Sequence, residues 1–141
     1  MSLRSLPLML IAFILYNVVV LMGGGSADNV YGLRQEIFSL PSVRGATHWS
    51  FSWGDLLILV SLFLLFIELV KATYTSTASL LDHGLSMLVF IACLIEFLLV
   101  DQAFTSVFFT IMIITLIDVI AGYTIGIRVA RRDIGFGSGD M

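Results

Sequence analysis

Phe104-Thr-Ser-Val-Phe-Phe-Thr-Ile-Met-Ile-Ile-Thr-Leu-Ile-Asp-Val-Ile-Ala-Gly-Tyr-Thr-Ile-Gly-Ile127 is apolar almost throughout, and Asp118 is its single charged side chain. A run of this length crosses ~30 Å of hydrocarbon as one helix. Asp118 precedes Arg128, the next basic residue, by about ten positions, roughly 15 Å along a helix. That spacing predicts a carboxylate near the middle of a bilayer. A charge there costs at least ~2.5–3.5 kcal/mol, so it needs a structural or functional reason.

Outward from this run, three more stretches are long enough to span or nearly span hydrocarbon. The four expected spans are residues 6–22, 53–70, 80–100 and 103–127. They predict an all-α membrane protein: a single domain, an antiparallel bundle of four transmembrane helices. Composition agrees. Of 141 residues, 59% are hydrophobic and 12% charged, against about 25% charged in soluble domains. Arg4 with the apolar run and Gly25-Ser26-Ala27 also fits a cleaved signal peptide. The run is long for such a leader, so an uncleaved first span is expected.

Basic residues orient spans. With four spans, Arg4, Lys71, Arg128, Arg131 and Arg132 fall on one side, and Arg34 and Arg44 on the other. Both termini are therefore expected in the cytoplasm, with residues 23–52 outside. A bacterial inner membrane is the expected location. The outer loop opens with the flexible residues 23–26. Residues 35–40 and 48–53 follow, separated by Pro41-Ser-Val-Arg-Gly45. Trp49, Phe51 and Trp53 alternate with His48, Ser50 and Ser52, the period of a half-buried strand. A β-hairpin on the outer interface is expected, with Trp49, Phe51 and Trp53 as aromatic anchors and His48 interfacial. The competing reading is an amphipathic helix over residues 30–40. The layout of four spans with an outer hairpin after the first resembles claudin-type proteins. The disulfide and aromatic signature of that family are absent, so the resemblance implies no functional residues.

Most acids have plain explanations. Ser52-x-x-Asp55 and Ser79-x-x-Asp82 have capping-box spacing at the starts of spans two and three. Asp101 is placed to cap span four. Asp28, Glu36, Asp133 and Asp140 fall on solvent-side segments. Glu68 sits three residues before Lys71, an ion-pair spacing from which it can snorkel to water. Glu96 lies about 7–8 Å below the outer surface. Asp118 has no local basic partner. Thr115, Asp118, Gly122 and Gly126 share one helical face, and Gly122-x-x-x-Gly126 is a close-packing motif. Gly54, Ser61 and Glu68 share a face of span two, and Ala92 and Cys93 lie on the Glu96 side of span three. The expectation is an interior lined by Glu68, Glu96 and Asp118 at three depths. His83 is expected at the mouth of span three, structural or solvated, with a proton relay or a weak metal site beside Glu68 as the sharper reading.

No motif for a metal, a phosphate or a nucleophile appears, so no cofactor, no metal and no enzymatic activity are expected. Cys93 is the one cysteine, which excludes a disulfide framework. No basic patch points to nucleic acid. The expected function is that of a small structural or accessory membrane protein. It would self-associate or join a larger complex through helix packing and the outer loop, with lipid as its surroundings. The alternative is a small oligomeric proton or cation channel or transporter using Asp118, Glu68 and Glu96.

Overall fold

The computed structural model describes residues 6–22, 30–74 and 77–136. The glycine-rich residues 23–26, Arg4, Asp28 and Asp140 lie outside them, as does the side chain of Asp133. In chain order the elements are α1 (Met9–Met22), α2 (Val30–Arg34), β1 (Glu36–Pro41), β2 (His48–Ser52), α3 (Trp53–Ala72), α4 (Thr77–Leu99), a 3-10 turn (Asp101–Ala103) and α5 (Ser106–Phe136).

Three helices, α3, α4 and α5, are long and apolar enough to cross a membrane. α1 is equally apolar but has 14 residues, roughly 21 Å at 1.5 Å per residue. It is three residues shorter than the expected stretch because Leu6, Pro7 and Leu8 form its entry. Proline suits that place, since a first-turn residue has no intrahelical use for an N–H. α5 starts later than expected and continues past Ile127 to Phe136.

The four long helices alternate in direction. α5 packs on both α3 and α4, and α1 closes the ring by packing on α3 and α4. α3 and α4, consecutive in the chain, thus face one another across the diagonal. Each helix buries one stripe at 3–4 residue spacing. In α1 it is Met9, Ala12, Tyr16 and Val20. In α3 it is Gly54, Leu57, Ser61, Leu65, Glu68 and Ala72. Phe108 of α5, fully buried, packs its ring 4.6 Å from that of Tyr16.

Unlike a water-soluble bundle, this one carries an apolar surface and buries several polar groups within its apolar core. Leu62, Phe63, Phe66, Leu88, Ile95 and Ile120 are among the exposed side chains, while Ser61, Glu68, Asp82, His83, Thr115 and Asp118 are buried. Water does not solvate a continuous apolar surface of this kind, whereas hydrocarbon does. The buried polar groups, for their part, have to find partners inside the bundle.

The hairpin forms as the alternation predicts. β1 and β2 pair antiparallel, with Phe38 opposite Phe51 and Leu40 opposite Trp49. Ser39 and Ser50 pair on the other face. The loop closes on Gly45, whose φ of 68° suits a residue without Cβ. Two expectations are corrected. Both strands are largely exposed rather than half-buried, because among the described residues no element packs across either face beyond the junction with α3. Trp53 belongs to the first turn of α3, not to the strand. The competing reading, an amphipathic helix over residues 30–40, extends only over Val30–Arg34, because Glu36 onward pairs as strand.

The caps follow local chemistry in one case out of three. At α3, Ser52 Oγ accepts from Asp55 N–H and Asp55 Oδ2 accepts from Ser52 N–H, a complete capping box. α4, however, begins at Thr77, before Ser79, so Asp82 is not a cap. Asp101 is exposed in the 3-10 turn, and Thr105 caps α5 instead, its Oγ1 accepting from Phe108 N–H at 3.1 Å.

Candidate functional site: a buried polar cluster between α3, α4 and α5

Glu68 does not snorkel. Its side chain is 2% exposed, because the helix stripe that carries Ser61 and Leu65 turns it toward α1. There Glu68 Oε2 accepts from Leu8 N–H at 2.9 Å, one of the orphan donors at the start of α1. A carboxylate from one helix thus caps another, with the α1 dipole in its favour. Its second oxygen, Oε1, meets Lys71 Nζ at 2.9 Å.

Lys71 Nζ also meets Asp82 Oδ2 at 2.9 Å and donates to Leu6 C=O at 3.2 Å. The ammonium therefore ties α3 to α4 across the diagonal and both to the entry of α1. Two carboxylates share one cation. The sequence carries the Glu68–Lys71 spacing, but the Ser79-x-x-Asp82 spacing points to a cap instead, and the Leu8 backbone has no mark in the sequence.

Asp118 is 1% exposed and faces this cluster from α5. Ser86 of α4 stands opposite it. Ser86 Oγ and Asp118 are neighbours across the α4–α5 contact, yet among the described residues Asp118 Oδ2, Ser86 Oγ and Asp82 Oδ1 are buried without a hydrogen bond of good geometry. Thr115, one turn earlier on α5, is also fully buried and donates to Met112 C=O at 2.7 Å. Cys93 lies beside Thr115, buried in the core.

His83 is buried, not solvated at a helix mouth. α4 begins six residues earlier, which carries this position into the bundle. Its imidazole lies against the α5 face formed by Gly122 and Gly126. A Cβ on Gly122 would sit 2.5 Å from His83 Nδ1, and one on Gly126 3.5 Å from Nε2. Tyr123 packs its ring 5.6 Å from the imidazole. The Gly122-x-x-x-Gly126 groove is thus a seat for a side chain of α4 within the same chain.

Glu96 is apart from this cluster. It lies ten residues beyond Ser86 on α4, about 15 Å along the helix. Its Oε2 accepts from Asn17 Nδ2 of α1 at 3.3 Å. Glu68, Asp118 and Glu96 thus lie at different depths, with Asp118 about one turn further in than the Glu68–Lys71–Asp82 cluster it faces and Glu96 near the other end, only half-buried. Ala92, expected to face inward with Cys93, is exposed. Tyr16 is a further polar residue that sequence reasoning passed over. Its hydroxyl binds Gln102 C=O and Thr105 Oγ1, each at 2.8 Å, and so ties α1 to the connection into α5. Tyr16 and Asn17 were the only strongly polar side chains in the first apolar run, which was the available signal.

Among the described residues no group of three or more His, Cys, Asp or Glu side chains has metal-binding geometry. Compared with protein-family models, curated proteins and solved structures, the chain matches none.

Proposed function

We propose that this chain is a structural or accessory integral membrane protein with four spans, α1 being the shortest. In this reading it works as a scaffold that carries the exposed hairpin, and it associates with copies of itself or with a larger membrane complex through that hairpin. The observation that carries the proposal is a division of labour between the two parts. The bundle directs Glu68, Lys71, Asp82 and Tyr16 to partners within the chain. The hairpin leaves Phe38, Leu40 and Trp49 of one apolar face exposed, with Phe51 partly covered beside them and the aromatic rings packed on one another. The charge distribution favours a cytoplasmic location for both termini and an external one for the hairpin; a bacterial inner membrane suits it. The test is native mass spectrometry of protein extracted in mild detergent. A defined assembly is expected for the wild type and its loss in Phe38→Ser/Trp49→Ser. A wild-type monomer without partners would refute the proposal.

A second reading, proton or cation passage, rests on a different observation: among the described residues, buried oxygens of Asp118, Ser86 and Asp82 lack a hydrogen bond of good geometry. Buried polar atoms without partners often mark a place for water or an ion. Flux in reconstituted vesicles decides between the two. Under the structural reading, the wild type conducts no more than protein-free vesicles and Asp118→Asn changes nothing. Wild-type flux that Asp118→Asn abolishes, with its melting temperature intact, would establish the second reading.

A further inference from the structure

The seam between α1 and α4 is more loosely packed than the seams α5 makes with α3 and α4. Two cavities lie along it, end to end. One, about 240 Å³, is lined by apolar side chains including Leu10, Phe13, Leu88, Val89 and Ala92. The other, about 160 Å³, is lined by Tyr16, Asn17, Glu96, Gln102 and apolar neighbours such as Val20 and Val100. Phe13 and Asn17 are one turn apart on α1, and so are Ala92 and Glu96 on α4. The Asn17–Glu96 contact therefore stands where the apolar cavity gives way to the polar one.

Glu96 is the unusual member. It is half-buried, five residues before Asp101 and thus about 7–8 Å inside the hairpin end of the bundle. Its one hydrogen bond among the described residues comes from a neutral amide at 3.3 Å, and no ion pair among them involves it. A carboxylate in that position calls for a cation. The slot around it is narrow, and the apolar groove continues from Phe13 and Ala92 toward the opposite end of the bundle, where Leu6 and Pro7 line it. A neighbouring helix packs at an interaxial distance of about 8–10 Å and meets a seam as a broad ridge. A slender amphiphile fits better: a cationic head at the interface and an acyl chain running toward the bilayer centre.

We propose that the α1–α4 seam binds an aminophospholipid from the leaflet at the hairpin end. Its ammonium pairs with Glu96, the Gln102 amide donates to its phosphate, and one acyl chain lies along Phe13, Leu88 and Ala92. This site is independent of whether the hairpin recruits a partner.

The test is native mass spectrometry of the full chain in detergent, titrated with phosphatidylethanolamine or with phosphatidylglycerol of the same acyl chains. The wild type is expected to retain phosphatidylethanolamine about tenfold better, the worth of one charge-assisted hydrogen bond. Glu96→Gln, nearly isosteric, removes that preference. Ala92→Trp, whose side chain points outward and leaves the core intact, weakens retention of both lipids. Equal retention by the wild type, or a preference that survives Glu96→Gln, overturns the proposal. So does disulfide formation between copies of Leu88→Cys in a Cys93→Ser background, which would show a second chain covering the seam.

Discussion

Lys71 holds Glu68, Asp82 and the Leu6 carbonyl at once. Taking away one member of a buried ion pair leaves the other charge without compensation, at a cost of about 3–5 kcal/mol, whereas replacing the whole set by neutral groups is often neutral or better. Lys71→Met is therefore expected to lower the unfolding free energy by about that amount. Adding Glu68→Gln and Asp82→Asn to it should recover most of the loss, because Gln can still accept from Leu8 N–H. Denaturant unfolding in micelles measures both. A triple variant no better than Lys71→Met would show that the cluster does not act as a unit.

At the level of the helices, α5 is the most deeply packed, and its glycines are not equivalent. At Gly122 a methyl group meets the His83 ring at 2.5 Å, while at Gly126 it reaches an ordinary contact at 3.5 Å. Overpacking costs about 1–3 kcal/mol. An exposed helical Gly→Ala change gains up to about 1 kcal/mol. Gly122→Ala should therefore destabilise, and Gly126→Ala should be neutral or mildly stabilising. Pairing Gly122→Ala with His83→Ala should relieve the clash and leave only the cavity cost. Melting temperatures of the three variants test this, and equal losses for both single glycine changes would contradict it. Gly54 follows the same rule on α3, since a Cβ there would sit 2.8 Å from Val107 Cγ2. The hairpin is governed by different physics. Among the described residues it is a two-stranded sheet without a covering layer, and such units are marginal alone in water. Its stacked aromatic face and its direct continuation into α3 hold it in place.

For the whole molecule, the apolar surface and the alternating helix directions place the hairpin at one end and the Glu68–Lys71–Asp82 cluster at the other. Charge counting then predicts sidedness. Single cysteines at Val43, in the hairpin loop, and at Thr73, just after α3, are both exposed. In a Cys93→Ser background, an impermeant thiol reagent applied to intact cells should label Val43→Cys. It should reach Thr73→Cys only after permeabilisation. The opposite pattern would invert the orientation.

The apolar runs, the period-two aromatics and the Ser52-x-x-Asp55 box determined the long helices, the hairpin and one cap. Each depends on neighbours within a few residues, and hydropathy and backbone sterics act at that range. The shared face of Thr115, Asp118 and Gly122 was legible for the same reason. Tertiary structure alone decided which polar groups meet. Glu68 caps a helix sixty residues away, Asp82 leaves its expected cap for Lys71, and Tyr16 binds a connection beyond the third long helix. These pairings follow from the order of helices around the bundle. That order is set by side-chain fit between helices, such as His83 on Gly122, and by the need of every buried donor and acceptor for a partner, neither of which leaves a periodic mark in the sequence.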